Sequence, residues 1–291
     1  MRLCDFAYHR PRTAAEACEL ARSLGDGAYF LAGGTELVPD FKRGAETARH
    51  LISLRDVEGL SDIRRSGDFL VIGAMATMAT IARSDEVRRA VPALADAAGW
   101  IGGEQIRHQA TIGGNFCRAV PCADTPPVCI AADAQVRLLD GAAARRTLPA
   151  AEFFTGPRRT VRAQGELLIE ILVPVQPPHS ATSYQRFALR RGMAVAVAAV
   201  AARLTIEDGI VSDARVVLGA VAPVPLVASD CARTLVGQPP GDAVFADAAA
   251  RAAAEARPIT DIRGSAAYRQ ELIRVLAQRA FTEAAARAAT G

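Results

Sequence analysis

The chain has 291 residues, of which 51% are hydrophobic and 22% charged, a composition typical of a globular protein with about two domains. Its net charge of +3 is too small to indicate a nucleic-acid partner, and no segment reaches the ~18 uninterrupted apolar residues of a membrane-spanning helix. The N-terminus lacks the long apolar core of a secretion signal, so we expect a cytoplasmic protein with no membrane insertion, in which the six cysteines are free thiols or ligands and not disulfides.

The N-terminal 56 residues are predicted to form a small strand–helix–strand unit. Thr13 and Glu16 have the spacing of a capping box, and the apolar pattern that follows predicts a helix ending at Gly25. A short apolar strand at 28–32 runs directly into a glycine loop, and another strand is predicted at 51–54.

Residues 57–176 are predicted to form a second unit that mixes helices and strands. A hairpin spans 62–73, and a helical pattern extends from about Met78 to Gly99. A second glycine loop follows, then a turn-rich stretch that contains Pro121, Pro126 and Pro127. Strands at 135–139 and 167–173 complete the unit.

The proline-rich segment 174–180 is the predicted linker to a smaller domain. Strands are expected at 184–189, 195–206 and 210–219, and helix-rich sequence runs from about Ala228 to the end. The last helix is predicted to begin near Ser265 and to place four residues on one side: Leu272, Val275, Leu276 and Arg279. The predicted fold class is therefore α+β.

The two glycine loops carry most of the functional information. The first runs from Leu31 to Leu37 as L-A-G-G-T-E-L, and the second from Ala110 to Asn115 as A-T-I-G-G-N. Neither has the spacing of a Rossmann or Walker motif. Glycine lets backbone N–H groups approach a phosphate because no Cβ intervenes. Bulky residues in place of Gly33 or Gly114 should therefore prevent phosphate binding. Either loop alone is typical of a plain turn, whereas the pair favours a dinucleotide.

These loops, with the stretches 105–115, 121–127, 166–168 and 264–269, resemble the FAD-binding subunit of molybdenum hydroxylases. That family includes carbon monoxide dehydrogenase, xanthine dehydrogenase and 4-hydroxybenzoyl-CoA reductase. The resemblance covers nearly the whole chain in order. It implies a two-lobed PCMH-type FAD-binding domain at 1–176, with subdomains of about 1–56 and 57–176. A CO dehydrogenase flavoprotein C-terminal-like domain, with an antiparallel sheet and a helical C-terminus, would follow at 180–288.

The resemblance also implies which residues contact FAD. The first loop would wrap the pyrophosphate with backbone amides, and the second would cradle the flavin and ribityl side. Asp124 would accept hydrogen bonds from ribose-type hydroxyls, and Arg186 would place a cation near the isoalloxazine. The implied set contains no catalytic residue and no metal ligand; it comprises Leu31, Ala32, Gly33, Gly34, Thr35, Glu36, Leu37, Ile101, Thr111, Gly113, Gly114, Asn115, Asp124, Leu168 and Arg186.

Two features set this sequence apart within the resemblance. Relatives commonly carry an aspartate after the basic pair that matches Arg190 and Arg191, where this chain has Gly-Met-Ala-Val at 192–195. Three cysteines, Cys117, Cys122 and Cys129, follow the second loop, where one relative holds an additional iron–sulfur cluster with four cysteines. A cluster here would need Cys231 or another residue as its fourth ligand, and free thiols are the alternative.

The resemblance implies a multi-subunit molybdenum hydroxylase or dehydrogenase, assembled as a dimer of heterotrimers. A large subunit would hold molybdopterin, a small subunit two [2Fe-2S] clusters, and this chain non-covalent FAD that passes electrons to an external acceptor. Two such clusters need eight thiolates, more than the six cysteines present here. The alternatives are a self-contained flavin-dependent oxidase or dehydrogenase and a non-catalytic assembly subunit.

Overall fold

A computed structural model of the chain describes residues 5–290. Residues 5–56 form a three-stranded parallel sheet with two helices. Thr13 caps the first helix by accepting the N–H of Glu16 at 3.1 Å, which confirms the predicted helix start. The first strand was not predicted, because its residues are mostly exposed and carry no alternating pattern. The elements in chain order are β1 (Ala7–His9), α1 (Ala14–Leu24), β2 (Ala28–Leu31), α2 (Leu37–Arg43) and β3 (His50–Ser53), with sheet order β1-β3-β2.

Residues 57–176 form a five-stranded antiparallel sheet covered by short helices. The sheet order is β4-β5-β10-β6-β7, and β8 and β9 form a separate hairpin. The elements are β4 (Ile63–Ser66), β5 (Phe69–Gly73), α3 (Met78–Arg83), α4 (Asp85–Ala90), α5 (Pro92–Gly99), α6 (Glu104–Arg107), α7 (Ile112–Arg118), α8 (Thr125–Ala131), β6 (Gln135–Leu139), β7 (Arg145–Pro149), β8 (Phe154–Gly156), β9 (Arg159–Thr160) and β10 (Leu167–Pro174).

The structure confirms helix over most of 78–99 and adds detail to two sequence expectations in this unit. The helical pattern at 78–99 is three helices, because Ser84 caps α4 by accepting the N–H of Val87, and Pro92 begins α5. The stretch expected to be rich in turns contains α8. Pro126 and Pro127 fit its first turn, where a backbone N–H has no partner in the helix and its loss costs little.

The C-terminal part is a four-stranded antiparallel sheet with three helices on one face. The segment between β10 and the next strand is short and irregular, in agreement with the predicted linker. The elements are β11 (Ser180–Phe187), β12 (Ala198–Glu207), β13 (Ile210–Gly219), β14 (Leu226–Val227), α9 (Ser229–Leu235), α10 (Asp242–Glu255) and α11 (Ala266–Thr290), with sheet order β11-β12-β13-β14.

This sheet is apolar on both faces and joins two cores. Ala199, Ala201 and Val217 pack against the core of the second unit. Their neighbours along the strands, including Val200 and Val216, pack against α9, α10 and α11. Successive strand residues point to opposite faces, so one strand serves both cores. The C-terminal sheet is therefore docked on the second unit through shared apolar burial.

The buried side of α11 differs from the predicted one. Of the four residues expected there, Leu276 is buried, Leu272 and Val275 are half-buried, and Arg279 is exposed. Many of the buried residues of α11 are small, including Ala277, Ala280 and Ala284. The positions of large apolar side chains therefore predict its buried face poorly. No helix within residues 5–290 combines the length and the hydropathy needed to span a membrane.

Candidate functional site

A cleft of about 930 Å³ lies between the first unit and the second. This volume is near the upper end of the ~300–1,000 Å³ that small-molecule sites occupy, as a dinucleotide needs. Its walls include the first loop, the start of α7 and the segments 162–165 and 193–195. Every residue that the resemblance implied to contact FAD lines this cleft, except Arg186.

The first loop presents a row of unpaired backbone donors. It begins where β2 ends, and Gly34 turns the chain with a φ of +70°. Within residues 5–290, no acceptor receives a hydrogen bond from the backbone N–H of Gly33, Gly34, Thr35 or Glu36. Consecutive N–H groups of this kind form a concave donor surface that favours an anion, and diphosphate oxygens are suitable acceptors.

Gly33 is required by a contact between the two loops. A Cβ at this position would lie 1.7 Å from the carbonyl oxygen of Gln109 and 2.5 Å from its carbonyl carbon. The sequence argument had attributed the glycine to phosphate approach, but the structure shows backbone packed on backbone. Gly113 makes a similar contact, because its Cβ would lie 2.7 Å from the Cβ and oxygen of Ala74. The two loops therefore form one packed unit.

The second loop is the start of helix α7, and its backbone N–H groups, apart from that of Thr111, donate within the protein. The N–H of Gly114 donates to Thr111 Oγ1 at 3.1 Å, and that of Gly113 donates to Ala74 O at 2.8 Å. Asn115 N–H donates to Thr111 O at 3.0 Å, and Asn115 Oδ1 accepts from Thr125 Oγ1 at 2.6 Å. The donors left for a ligand are the Thr111 N–H, the Thr111 hydroxyl hydrogen and Asn115 Nδ2, none of which has an acceptor within residues 5–290.

Asp124 reaches the cleft as a buried and well-bonded carboxylate. Its Oδ1 accepts from the Tyr184 hydroxyl at 2.7 Å, and its Oδ2 accepts from Arg186 Nη1 at 2.9 Å. Burial raises the pKa of Asp124, although Arg186 and Tyr184 act in the opposite direction. Burial, followed by the charge of Asp124, raises the pKa of Tyr184 well above its ordinary value.

Arg186 lies behind Asp124, and it is not among the residues that line the cleft. Its guanidinium donates to Trp100 O at 2.9 Å and lies 5.2 Å from the centre of the Trp100 ring. The ion pair with Asp124 compensates its charge, since both side chains are more than nine-tenths buried. In this arrangement Arg186 acts on the cleft through Asp124.

Three arginines in the cleft wall were missed by the sequence analysis: Arg118, Arg158 and Arg162. Arg118 in α7 forms an ion pair with Asp40 in α2, and Asp40 is only 1% exposed. The Nε atoms of Arg118 and Arg162 are buried without a hydrogen-bond partner in the described part of the chain. Burial, together with the nearby Arg158, lowers the pKa of Arg118. The sequence signal was weak: one arginine four residues after Gly114, and two others beyond the second loop.

Glu166, which carried part of the resemblance, organises the segment 162–165. Its carboxylate accepts two hydrogen bonds from Arg146, at 2.6 and 2.7 Å, and one from the N–H of Ala163 at 2.9 Å. Burial raises the pKa of Glu166, but these donors outweigh it and hold the pKa below its ordinary value. The carboxylate thus fixes a wall of the cleft without facing its ligand space.

The loop at 190–195 places apolar side chains at the cleft edge. Met193 and Val195 are 56% and 42% exposed, respectively. Met193 has a φ of +49°, and its N–H donates to Gly102 O at 3.2 Å. Met193, Ala194 and Val195 line the cleft, so the stretch that departs from the family pattern does lie beside the ligand space.

The three cysteines after the second loop do not converge. Cys117 and Cys122 line the cleft and Cys129 is buried in the core. Burial raises the pKa of all three thiols. Within residues 5–290, no group of three or more His, Cys, Asp or Glu side chains could hold a metal ion.

Comparisons with known proteins identify the family of the chain. Residues 4–176 match the family model described as the FAD binding domain in molybdopterin dehydrogenase, and residues 182–284 match the CO dehydrogenase flavoprotein C-terminal domain. The chain is 36% identical to the carbon monoxide dehydrogenase medium chain of Afipia carboxidovorans, with 98% of each chain covered. It is 31% identical to the glyceraldehyde dehydrogenase medium chain of Sulfolobus acidocaldarius, covering 97% of this chain and 99% of that one.

A solved structure shares the fold over the same length. Carbon monoxide dehydrogenase from Hydrogenophaga pseudoflava, in a form that lacks the Mo-pyranopterin moiety of the molybdenum cofactor, matches with a TM-score of 0.95. The sequence identity is 34%, and 99% of each chain is covered. The mixed α+β fold expected from the sequence is confirmed. The chain belongs to the molybdenum hydroxylase family, as its FAD-binding medium subunit.

Proposed function

We propose that this chain is the electron-transfer flavoprotein of a multi-subunit molybdenum hydroxylase. In this role it would receive electrons from the iron–sulfur clusters of a small subunit and deliver them through FAD to an external acceptor. The observation that carries the proposal is the row of four unpaired N–H groups, Gly33 to Glu36, at a cleft of dinucleotide size.

The residues present fit FAD. The unpaired N–H groups and the buried Nε atom of Arg162 are donors without acceptors in the described part of the chain, which suits a diphosphate. Ile101 and Leu168 line the same cleft and supply apolar surface. The Thr111 hydroxyl and Asn115 Nδ2 remain available for hydroxyl or carbonyl groups of the ligand.

The division of labour within the cleft follows from these contacts. FAD, when bound, supplies reversible redox chemistry that no amino-acid side chain provides. The first loop binds the anionic part of the cofactor, and α7 holds that loop in place through the ion pair between Arg118 and Asp40. The Asp124–Arg186 pair supplies a buried dipole at the wall. The exposed apolar side chains of 189–195 border the region where an acceptor could approach.

The proposal includes partners for the complete enzyme. We expect a large molybdopterin subunit and a small [2Fe-2S] subunit, arranged as a dimer of heterotrimers in the cytoplasm. The five cysteines in the described part of the chain are unpaired thiols, as a reducing compartment requires. We also propose that the FAD-binding domain occupies 1–176, in subdomains of about 1–56 and 57–176, and the C-terminal domain 180–288.

Cofactor content tests the proposed function. A tagged chain is co-expressed with the products of its neighbouring genes and purified, and the complex is assayed for FAD, iron and molybdenum. After mild dissociation, FAD should remain with this chain, while iron and molybdenum leave with the partners. Iron or molybdenum that stays with the isolated chain would contradict the proposal.

Acid precipitation separates this function from a self-contained flavin oxidase. Among the residues that the structure describes, no histidine lines the cleft, and His108 near the second loop lies 3.2 Å from the carboxylate of Glu104. We therefore expect non-covalent FAD that acid releases into the supernatant. Flavin that stays with the precipitated protein would favour the oxidase, and a chain that takes up no FAD would favour an assembly role.

A further inference from the structure

The turn of the β8–β9 hairpin holds an arginine in a conformation suited to glycine. Pro157 and Arg158 form the turn between the paired residues Gly156 and Arg159. Arg158 has a φ of +59°, the left-handed region that the third position of a type II turn requires after proline. Its N–H donates to Ala119 O at 2.8 Å, which ties the turn to the end of α7.

The Arg158 side chain lines the cleft beside a group of charges with excess positive charge. Its Nη1 lies 3.7 Å from Asp40 Oδ2, and the side chain is 52% exposed. Asp40 is also paired with Arg43 and Arg118, and Arg118 lies 3.5 Å from Glu36. Three guanidinium groups thus face two carboxylates, which leaves one positive charge uncompensated.

Asp40 does not need Arg158 as a counter-ion. Arg43 and Arg118 both hydrogen-bond its carboxylate, whereas Arg158 is farther away and makes no hydrogen bond to it. Burial lowers the pKa of Arg118, and the nearby charge of Arg158 lowers it further. Asp40 therefore leaves Arg158 available to bind an anion in the cleft.

We propose that Arg158 binds the diphosphate of FAD together with the N–H row of the first loop. The observations that carry the proposal are its place in the cleft wall, the hydrogen bond that ties its turn to the end of α7, and the excess positive charge beside Glu36 and Asp40. The proposal rests on the proposed function, since it takes FAD as the ligand. The proposal gives the β8–β9 hairpin, which lies outside both glycine loops, a direct contact with the anionic part of the ligand.

The substitution Arg158→Gly tests this proposal directly, because glycine favours the observed turn. The thermal midpoint of the FAD-free chain should stay unchanged or rise. The dissociation constant for FAD, measured by fluorescence titration, should increase about tenfold to a hundredfold, the effect of losing one charged hydrogen bond. Arg158→Lys should recover part of the loss.

A matched control and a ligand series locate the contact. Arg159→Gln removes a neighbouring exposed charge outside the cleft wall and should leave FAD affinity unchanged. ADP, which shares the diphosphate of FAD, should lose affinity for the Arg158→Gly chain, whereas adenosine should bind both chains equally. If the wild type and Arg158→Gly bind FAD with the same affinity, and also bind ADP with the same affinity, the proposal is overturned and the proposed function stands. A wild-type chain that binds no FAD would instead overturn the proposed function.

Discussion

The contact between the two loops predicts that Gly33→Ala separates them. The new Cβ would lie 1.7 Å from Gln109 O, which would have to retreat to about 3.4 Å for an ordinary contact. Overpacking of this kind typically costs about 1–3 kcal/mol, and we expect the upper end because the opposing atom is backbone. If the displacement removes two of the four N–H donors from a diphosphate, at about 1.5–3 kcal/mol each, FAD affinity falls by about 10²- to 10⁴-fold.

Urea denaturation of the FAD-free chain and fluorescence titration with FAD measure the two effects. Gly192→Ala is the control, because its Cβ would meet no atom within 4 Å although the loop borders the cleft. We expect that variant to remain within about 0.5 kcal/mol of the wild type and to bind FAD normally. Wild-type stability and FAD affinity in Gly33→Ala would refute the inference that the two loops form one packed unit.

Three further outcomes follow from the charges and thiols of the cleft. Because donors hold the pKa of Glu166 below its ordinary value, its ionised form stabilises the fold at neutral pH, and this contribution is lost as the pH falls below about 4.5. The difference in unfolding free energy between the wild type and Glu166→Gln should therefore shrink from pH 7 to pH 3, and a constant difference would contradict this reasoning. Asp40→Asn removes the buried carboxylate that pairs with Arg118 and should cost about 3–5 kcal/mol in urea denaturation; a cost below 1 kcal/mol would show that the pair does not join α2 to α7. Burial raises the pKa of Cys122 in the cleft wall, so iodoacetamide should label it slowly at pH 7 and more slowly with FAD bound, whereas mass spectrometry showing labelling that FAD does not affect would place FAD elsewhere.

Local signals in the sequence predicted the elements that depend on neighbours along the chain. The cap formed by Thr13 lies three residues from the N–H that it accepts, so spacing alone reveals it. The strands at 135–139 and 167–173 have recognisable patterns, because apolar residues alternate with Gln135 and Arg137 in the first and fill all positions but Glu170 in the second. The loop from Leu31 to Leu37 was recognisable because its glycines follow a strand directly.

Interactions between distant segments could not be predicted in this way. Gly33 and Gln109 are 76 positions apart, and only the folded chain shows that their backbones touch. The Arg118–Asp40 pair joins α7 to α2 across 78 positions, and nothing in either segment identifies the partner. Glycine is the residue that favours the left-handed conformation, so local propensity would not have predicted that Arg158 adopts it at the edge of the cleft.

The FAD content of the purified chain tests the central claim most directly. The chain is purified, its visible spectrum is recorded, and the acid supernatant is assayed for FAD. We expect a yellow protein with about one FAD per chain, all of it released by acid, as a non-covalent cofactor site requires. A colourless chain that also takes up no added FAD would contradict the account.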